Sequence, residues 1–122
     1  MDFNKIPPSE LDVMKAIWDS DHPLSSKEVI ALMEEKNKWK RTTTLTLLSR
    51  LAKKNFLSTE KIKRYTYYTP LVQKKDYLDL ETKLFFENLH DNSLHSLISA
   101  LHNNHDISTE DLDSLEDWIK AK

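Results

Sequence analysis

The chain has 122 residues with 18 Lys+Arg against 20 Asp+Glu, enough for one core or for a small compact domain with an appended helical segment. It holds no cysteine and no glycine, which excludes disulfides, Cys-based zinc and iron–sulfur sites, a thiol nucleophile, the P-loop, the GxGxxG dinucleotide turn and the GxSxG nucleophile elbow. No window approaches the roughly 18 apolar residues of a membrane span, and MDFNKIPPSE is not a basic, apolar signal, so a cytoplasmic protein without membrane insertion is expected.

Pro7-Pro8-Ser9 is a stop in extended structure, after which Leu11, Val13, Met14, Ile17 and Trp18 recur at helical spacing and predict a first helix over 9–19. Asp19-Ser20-Asp21-His22-Pro23 ends it. Ser25 and Glu28 then form a capping box ahead of Val29, Ile30, Leu32 and Met33, which predicts a second helix over about 26–36. Asn37-Lys38-Trp39 breaks the pattern.

RTTTLTLLSRLAKKNF, Arg41 to Phe56, follows with helical spacing and an unusual outside. Stepping 100° per residue from Leu48 groups Thr44, Leu45, Leu51 and Ala52 with it within about 60°, with Leu47 at the margin. Thr42, Thr43, Thr46, Ser49, Arg50, Lys53 and Lys54 fall on the other side, so hydroxyls and cations share one face. Its threonines cost on the order of 1–2 kcal/mol in helix propensity relative to Ala, which a merely solvated face has no reason to spend. Short hydroxyls let a helix approach a DNA backbone, donate to phosphate and offer methyls to thymine, while Arg grips guanine bidentately. Thr42, Thr43, Thr46, Ser49 and Arg50 are therefore the candidates for the major groove, with Arg50 the base or phosphate contact.

Asn55 is expected in the left-handed conformation that glycine usually fills. Phe56–Glu60 and Tyr65–Thr69 are β-prone runs joined by Lys61-Ile62-Lys63-Arg64, predicting a short hairpin with a basic tip. Three helices followed by such a hairpin is the order of a winged helix-turn-helix, with the hairpin as a wing. Lys53, Lys54, Lys61, Lys63 and Arg64 are the candidate phosphate contacts. Pro70 closes that domain.

A helix from Gln73 to about Asn88 carries Tyr77, Leu80, Leu84, Phe85 and Leu89. Asp91-Asn92-Ser93 caps another with Leu94, Leu97, Ile98 and Leu101, and Asp106 to Asp111 cap a third with Leu112, Leu115, Trp118 and Ile119. Three short helices bury little alone, so they must dock on the first domain or on a second copy; a homodimer is the economical answer for a DNA reader. The stripe Leu80, Leu84, Phe85, Leu94, Leu97, Ile98, Leu101, Leu112, Leu115 and Ile119 is the expected dimerisation surface. The fold expected is mainly α with a small β-hairpin wing: a winged helix-turn-helix DNA-binding domain over 1–71 and a C-terminal three-helix dimerisation domain over 72–122.

The charge divides in the same place. Residues 1–71 hold 13 basic and 9 acidic side chains, net +4, while 72–122 hold 5 and 11, net −6. Lys38 to Arg64 has nine basic residues and one acid, Glu60, the composition of a polyanion-facing surface. Two other classes stay open. His102 and His105, with His90 and His95, have spacing that imidazole–metal ligation can use, although histidines at helix ends more often cap carbonyls or face water. A protein–protein adaptor with acidic C-terminal helices and a merely solvated basic helix is the other. An enzyme is not expected, because no motif gathers Ser, His and Asp together, and no cofactor is expected.

The stretches SELDVMKAIW (Ser9 to Trp18), KWKRTTTLTLLSRLAKKNFL (Lys38 to Leu57), YTYYTPLVQKKDYLDLETKLFFENL (Tyr65 to Leu89) and SLISALHNNHDISTEDLDSLEDWI (Ser96 to Ile119) together resemble the BlaI/MecI/CopY family. Its most specific parts are the first-helix pattern ending in Trp18 and the Thr43, Leu47, Arg50, Leu51 spacing. The resemblance implies a dimeric bacterial winged-helix repressor on a palindromic double-stranded operator. In the penicillinase and methicillin-resistance branch it implies control of β-lactam resistance genes and inactivation through an upstream membrane sensor-protease. The copper-responsive branch uses a C-terminal cysteine cluster that this chain lacks. Two departures stand out: the bond matching the family's Asn-Phe cut is Ala100-Leu101, and Thr42 and Leu45 stand where members often carry basic residues.

Overall fold

The computed structural model describes residues 3–121. Helix α1 (Pro8–Trp18) starts with proline in its first turn, where the missing N–H costs nothing, and ends at Asp19. A two-residue strand β1 (Leu24–Ser25) leads into α2 (Ser26–Asn37). The expected capping box is complete: the Glu28 N–H donates to Ser25 Oγ at 3.2 Å and the Ser25 N–H donates to Glu28 Oε1 at 3.0 Å. That backbone donor holds the Glu28 carboxyl below the usual carboxylate range. Helix α3 (Arg41–Lys53) follows after Lys38, which closes α2 at φ 58°.

Strands β2 (Leu57–Ile62) and β3 (Tyr65–Pro70) form the hairpin, and β1 joins it to give an antiparallel sheet in the order β1-β3-β2. Ladder pairing runs on to Ile62↔Tyr65, so the tip is shorter than the 61–64 link expected: only Lys63 and Arg64 turn, with Lys63 at φ 59°. Lys61 and Ile62 are strand residues. Helices α4 (Lys74–Asn88), α5 (Leu94–Asn103) and α6 (Thr109–Lys120) complete the chain. With no glycine available, left-handed positions fall to Lys38, Asn55, Lys63, Asp91, Asn92 and His105 among the described residues.

The chain forms two compact units, Met1–Glu81 and Thr82–Lys122. The division at 71/72 drawn from the sequence lies ten residues earlier, and the difference is the start of α4. Val72 and Tyr77 are buried in the first core with Val13, Met14, Ile17, Val29, Met33, Leu47, Leu48, Leu51 and Phe56. Tyr77 lies against the rings of Phe3, Trp18 and Phe56, with centroids 5.7–6.1 Å apart, and its hydroxyl accepts the Ile6 N–H at 2.8 Å. Trp18 Nε1 donates to the Val72 carbonyl at 2.9 Å, which fastens the end of the wing to α1.

Candidate nucleic-acid interface

On α3 the periodicity separates two chemistries. Thr44, Leu47, Leu48 and Leu51 are buried, Leu45 and Ala52 are half-buried, and Arg41, Thr42, Thr43, Thr46, Ser49, Arg50 and Lys53 are exposed. Leu47, at the margin of the expected inner face, is 4 % exposed and belongs to the core. Thr42, Thr43, Thr46 and Arg50, with the edge of Leu47, line an open hollow of about 300 Å³ on the outer side. The Thr46 hydroxyl is turned inward, donating to the Thr42 carbonyl one turn back at 2.9 Å.

The N-terminus of α3 lacks both a capping side chain and an acid in its first turn, whereas α1, also without a side-chain cap, carries Glu10 there. α2, α5 and α6 each begin at a serine whose side chain accepts a first-turn amide, whereas Lys40 caps α3 with no side-chain hydrogen bond and the first turn holds no acid. Lys38, Lys40 and Arg41 surround this end, where the macrodipole is already positive. Such an arrangement is costly alone and favourable beside an anion.

The cations are mostly uncompensated. Among the described residues, Arg50, Lys53, Lys61, Lys63 and Arg64 make no ion pair, and all are exposed. Lys54 is different. Its Nζ lies 2.6 Å from Oε1 of Glu10, a carboxylate that is only 2 % exposed, so this ammonium is committed to the fold although sequence spacing groups it with the phosphate contacts. Asp12, one half-turn further along α1, accepts from Asn37 Nδ2 at 3.2 Å. Two carboxylates of α1 thus tie the C-terminal ends of α2 and α3.

Ladder pairing sets the wing's faces. Leu57 and Tyr68 are buried, which puts Lys61 and Thr66 on their side and Ile62 and Tyr65 on the opposite side, with Lys63 and Arg64 at the tip. Ile62 and Tyr65 are 46 % and 38 % exposed.

In the second unit no described residue is buried. Phe85, Leu94 and Ile119 of the expected dimer stripe are exposed, and Leu84, Leu97, Ile98, Leu101, Leu112 and Leu115 are half-buried. Leu80 corrects the stripe: it packs against the first core, because the first turns of α4 belong to that unit. Ala100 and Leu101 are half-buried within helical backbone of α5. His90 Nδ1 contacts Ser96 Oγ at 2.8 Å and its ring meets Phe85 edge-on at 4.9 Å, while His95 Nδ1 contacts Ser99 Oγ at 3.5 Å. Among the described residues no three His, Asp or Glu side chains converge as metal ligands would. No helix among them is long and apolar enough to cross a membrane.

Comparison with known proteins adds an independent line. The profile of the family described as penicillinase repressor matches residues 6–121. The penicillinase repressor of Bacillus licheniformis is 31 % identical over 111 residues, covering 91 % of this chain and 86 % of that protein. A solution structure of the DNA-binding domain of the repressor BlaI matches with 37 % identity and a TM-score of 0.56, over 60 % of this chain and 88 % of that one. The Bacillus licheniformis BlaI monomeric form in complex with the blaP half-operator matches with 36 % identity and a TM-score of 0.54, over 62 % and 90 %.

Proposed function

This chain belongs to the penicillinase repressor family, and on that premise we propose that it is a DNA-binding transcriptional repressor that reads its operator with α3. The observation that carries the reading is the outer face of α3, where hydroxyls, an uncapped N-terminus and unpaired cations meet on one surface. Thr42, Thr43, Thr46, Ser49 and Arg50 face the major groove, and Lys53, Lys61, Lys63 and Arg64 hold phosphates. Lys54 serves the fold. The protein acts in the cytoplasm by occupying DNA and not by catalysis, and its relatives' names make β-lactam resistance genes the first candidates for control.

The second unit supports a homodimer. A unit in which no described residue is buried and Phe85, Leu94 and Ile119 are exposed gains most from a second copy, which would also match a two-fold operator. Its apolar residues include Leu84, Leu97, Ile98, Leu101, Leu112 and Leu115. A Leu97→Asp chain should sediment as monomer and lose most operator affinity; an unchanged dimer would remove this surface from the interface.

The function is tested by a gel shift on the DNA upstream of the protein's own gene and on sites selected from a random-sequence library. A dimer neutralising about six to ten phosphates loses roughly 10³–10⁵ in affinity between 50 and 200 mM salt. Arg50→Ala should cost roughly 1–3 kcal/mol if Arg50 reads a base. A chain that binds all sequences alike, or ignores salt, is not an operator-binding repressor.

A further inference from the structure

Away from the outer face of α3, the first unit carries an open groove of about 480 Å³ between α1 and α2. That volume lies within the roughly 300–1,000 Å³ of sites that hold small organic ligands. The floor is apolar: Ala16 and Leu24 are each 4 % exposed, Leu32 packs against the core, and Ala31 lies exposed beside them. Asp19, Glu28 and Glu35 bring three carboxylates to the lining, against a single ammonium from Lys36. No residue of α3, β2 or β3 takes part, so the groove is separate from the surface assigned to the operator. An acidic groove also repels a polyanion, although residues 1–71 carry a net charge of +4.

The helical period sets Glu28, Ala31, Leu32 and Glu35 in one stripe along α2. Two turns of helix separate the two carboxylates by about 10 Å along the axis, with Ala31 and Leu32 between them. Glu28 is fixed in place: its Oε1 accepts the Ser25 N–H at 3.0 Å, a bond that favours the ionised form, and no donor among the described residues engages its Oε2. Asp19 and Glu35 stand at the C-terminal ends of α1 and α2, where the negative pole of each helix disfavours a carboxylate and a cation relieves it. None of the three makes an ion pair among the described residues. His22, whose charge reaches Glu28, is itself held by Asp21 at 2.8 Å.

We propose that this groove binds an aliphatic diamine, with one ammonium on Glu28, the other on Glu35, and the methylene chain between them over Leu24, Ala31 and Leu32. Asp19 adds to the field that attracts it. The lining holds no aromatic ring, so a quaternary ammonium would find no cage there, whereas primary ammonium groups donate N–H bonds to carboxylates. A chain with one charged end leaves the second carboxylate unpaired, and a short diamine cannot reach both. The site stands apart from the repressor reading and does not depend on it.

The probe is octamethylenediamine, whose extended chain spans the two carboxylates, titrated into the full-length chain without DNA while backbone amide shifts are followed by NMR. Saturable shifts should be confined to α2, Leu24 and the end of α1, with a Kd on the order of 0.1–1 mM. Trimethylenediamine carries the same charges but covers little of the floor, and should bind at least about tenfold more weakly. Octylamine should bind about three- to fivefold more weakly than the diamine, and Glu35→Gln should remove that difference, because the second ammonium then has no carboxylate. Ala31→Lys puts a long stem and an ammonium into the groove from an exposed position that favours helix, so it should keep the native urea midpoint and abolish binding. Trimethylenediamine binding as tightly as the longer diamine, or shifts spread equally over the acidic second unit, would overturn the proposal, since net charge alone would then explain the attraction. Native-like binding by Ala31→Lys, an unchanged preference for the diamine in Glu35→Gln, or no saturable shift below about 10 mM would overturn it as well.

Discussion

Replacing Lys54 by methionine removes the partner of a carboxylate that folding has taken out of water. Glu10 is 2 % exposed and its Oε1 lies 2.6 Å from Lys54 Nζ, whereas the lysine side chain is 42 % exposed. Breaking a fully buried pair costs about 3–5 kcal/mol, because the remaining charge stays desolvated. Solvent at the lysine end screens part of that, so about 2–3 kcal/mol is expected for Lys54→Met, read as a lower urea midpoint at fixed protein concentration. Adding Glu10→Met should bring stability back to within about 1 kcal/mol of the native chain, since the buried charge is then gone too. The DNA side of the same experiment separates the roles. Each phosphate contact contributes about 0.9 to the slope of log K against log salt. Lys53→Met should lower that slope by about 2 for a dimer, while Lys54→Met should leave it unchanged once folding is corrected for. A Lys54→Met chain that unfolds at the native midpoint and loses slope as Lys53→Met does would refute the assignment of Lys54 to Glu10.

Thr44 Oγ1 is buried with no hydrogen-bond partner among the described residues, so Thr44→Val should stabilise the protein by about 1 kcal/mol; a lower urea midpoint would show that the hydroxyl is satisfied. Burial pushes the Tyr77 hydroxyl up to about 12, so the fold holds this proton more tightly than the unfolded chain does. The stabilisation is complete below pH of about 10 and is lost as pH rises towards 12, so the native urea midpoint should fall across that window more than that of Tyr77→Phe. Equal falls would place the alkaline transition elsewhere. Lys40→Asp supplies α3 with a side-chain cap and the favoured charge sign, and should stabilise the fold by about 1 kcal/mol while weakening operator binding by about tenfold or more. Tighter binding by this variant would mean that no phosphate approaches the start of α3.

Local patterns were legible in the sequence, and pairings across the chain were not. The Ser25–Glu28 box, the two faces of α3 and the left-handed Asn55 each follow from residues within a few positions of one another. Strand β1 has only two residues, and its partners Tyr67 and Tyr68 lie more than 40 positions away, so nothing local marks Leu24 as a strand and Ser25 is legible only as the cap of α2. Lys54 looked like one more member of a basic run because its partner is Glu10, 44 positions earlier. Leu80 shares a helical stripe with Leu84, but the compact first unit runs to Glu81 and claims Leu80 with Tyr77. Lys38 and Lys63 take left-handed backbone without any preference for it, an outcome that a chain free of glycine leaves to whichever residue stands at the turn.

The composition of α3 makes sense only when both of its faces are counted. Its inner face holds Leu47, Leu48 and Leu51, each 4 % exposed or less, and a buried leucine contributes about 1.5–3 kcal/mol. That is enough to keep the helix formed despite poor helix formers on the outside, a first turn without a capping side chain and cations at the positive end of the dipole. Two of these conflicts, the bare first turn and the cations at the positive end of the dipole, lie on one surface, and a polyanion would relieve both. A helix chosen for stability would carry Asp or Ser at position 40 and Ala or Glu at 42, 43 and 46. The opposite signs expected for Lys40→Asp, firmer folding and weaker binding, express that conflict in one residue: the stability forgone at the surface of α3 becomes favourable interaction energy when an anion arrives.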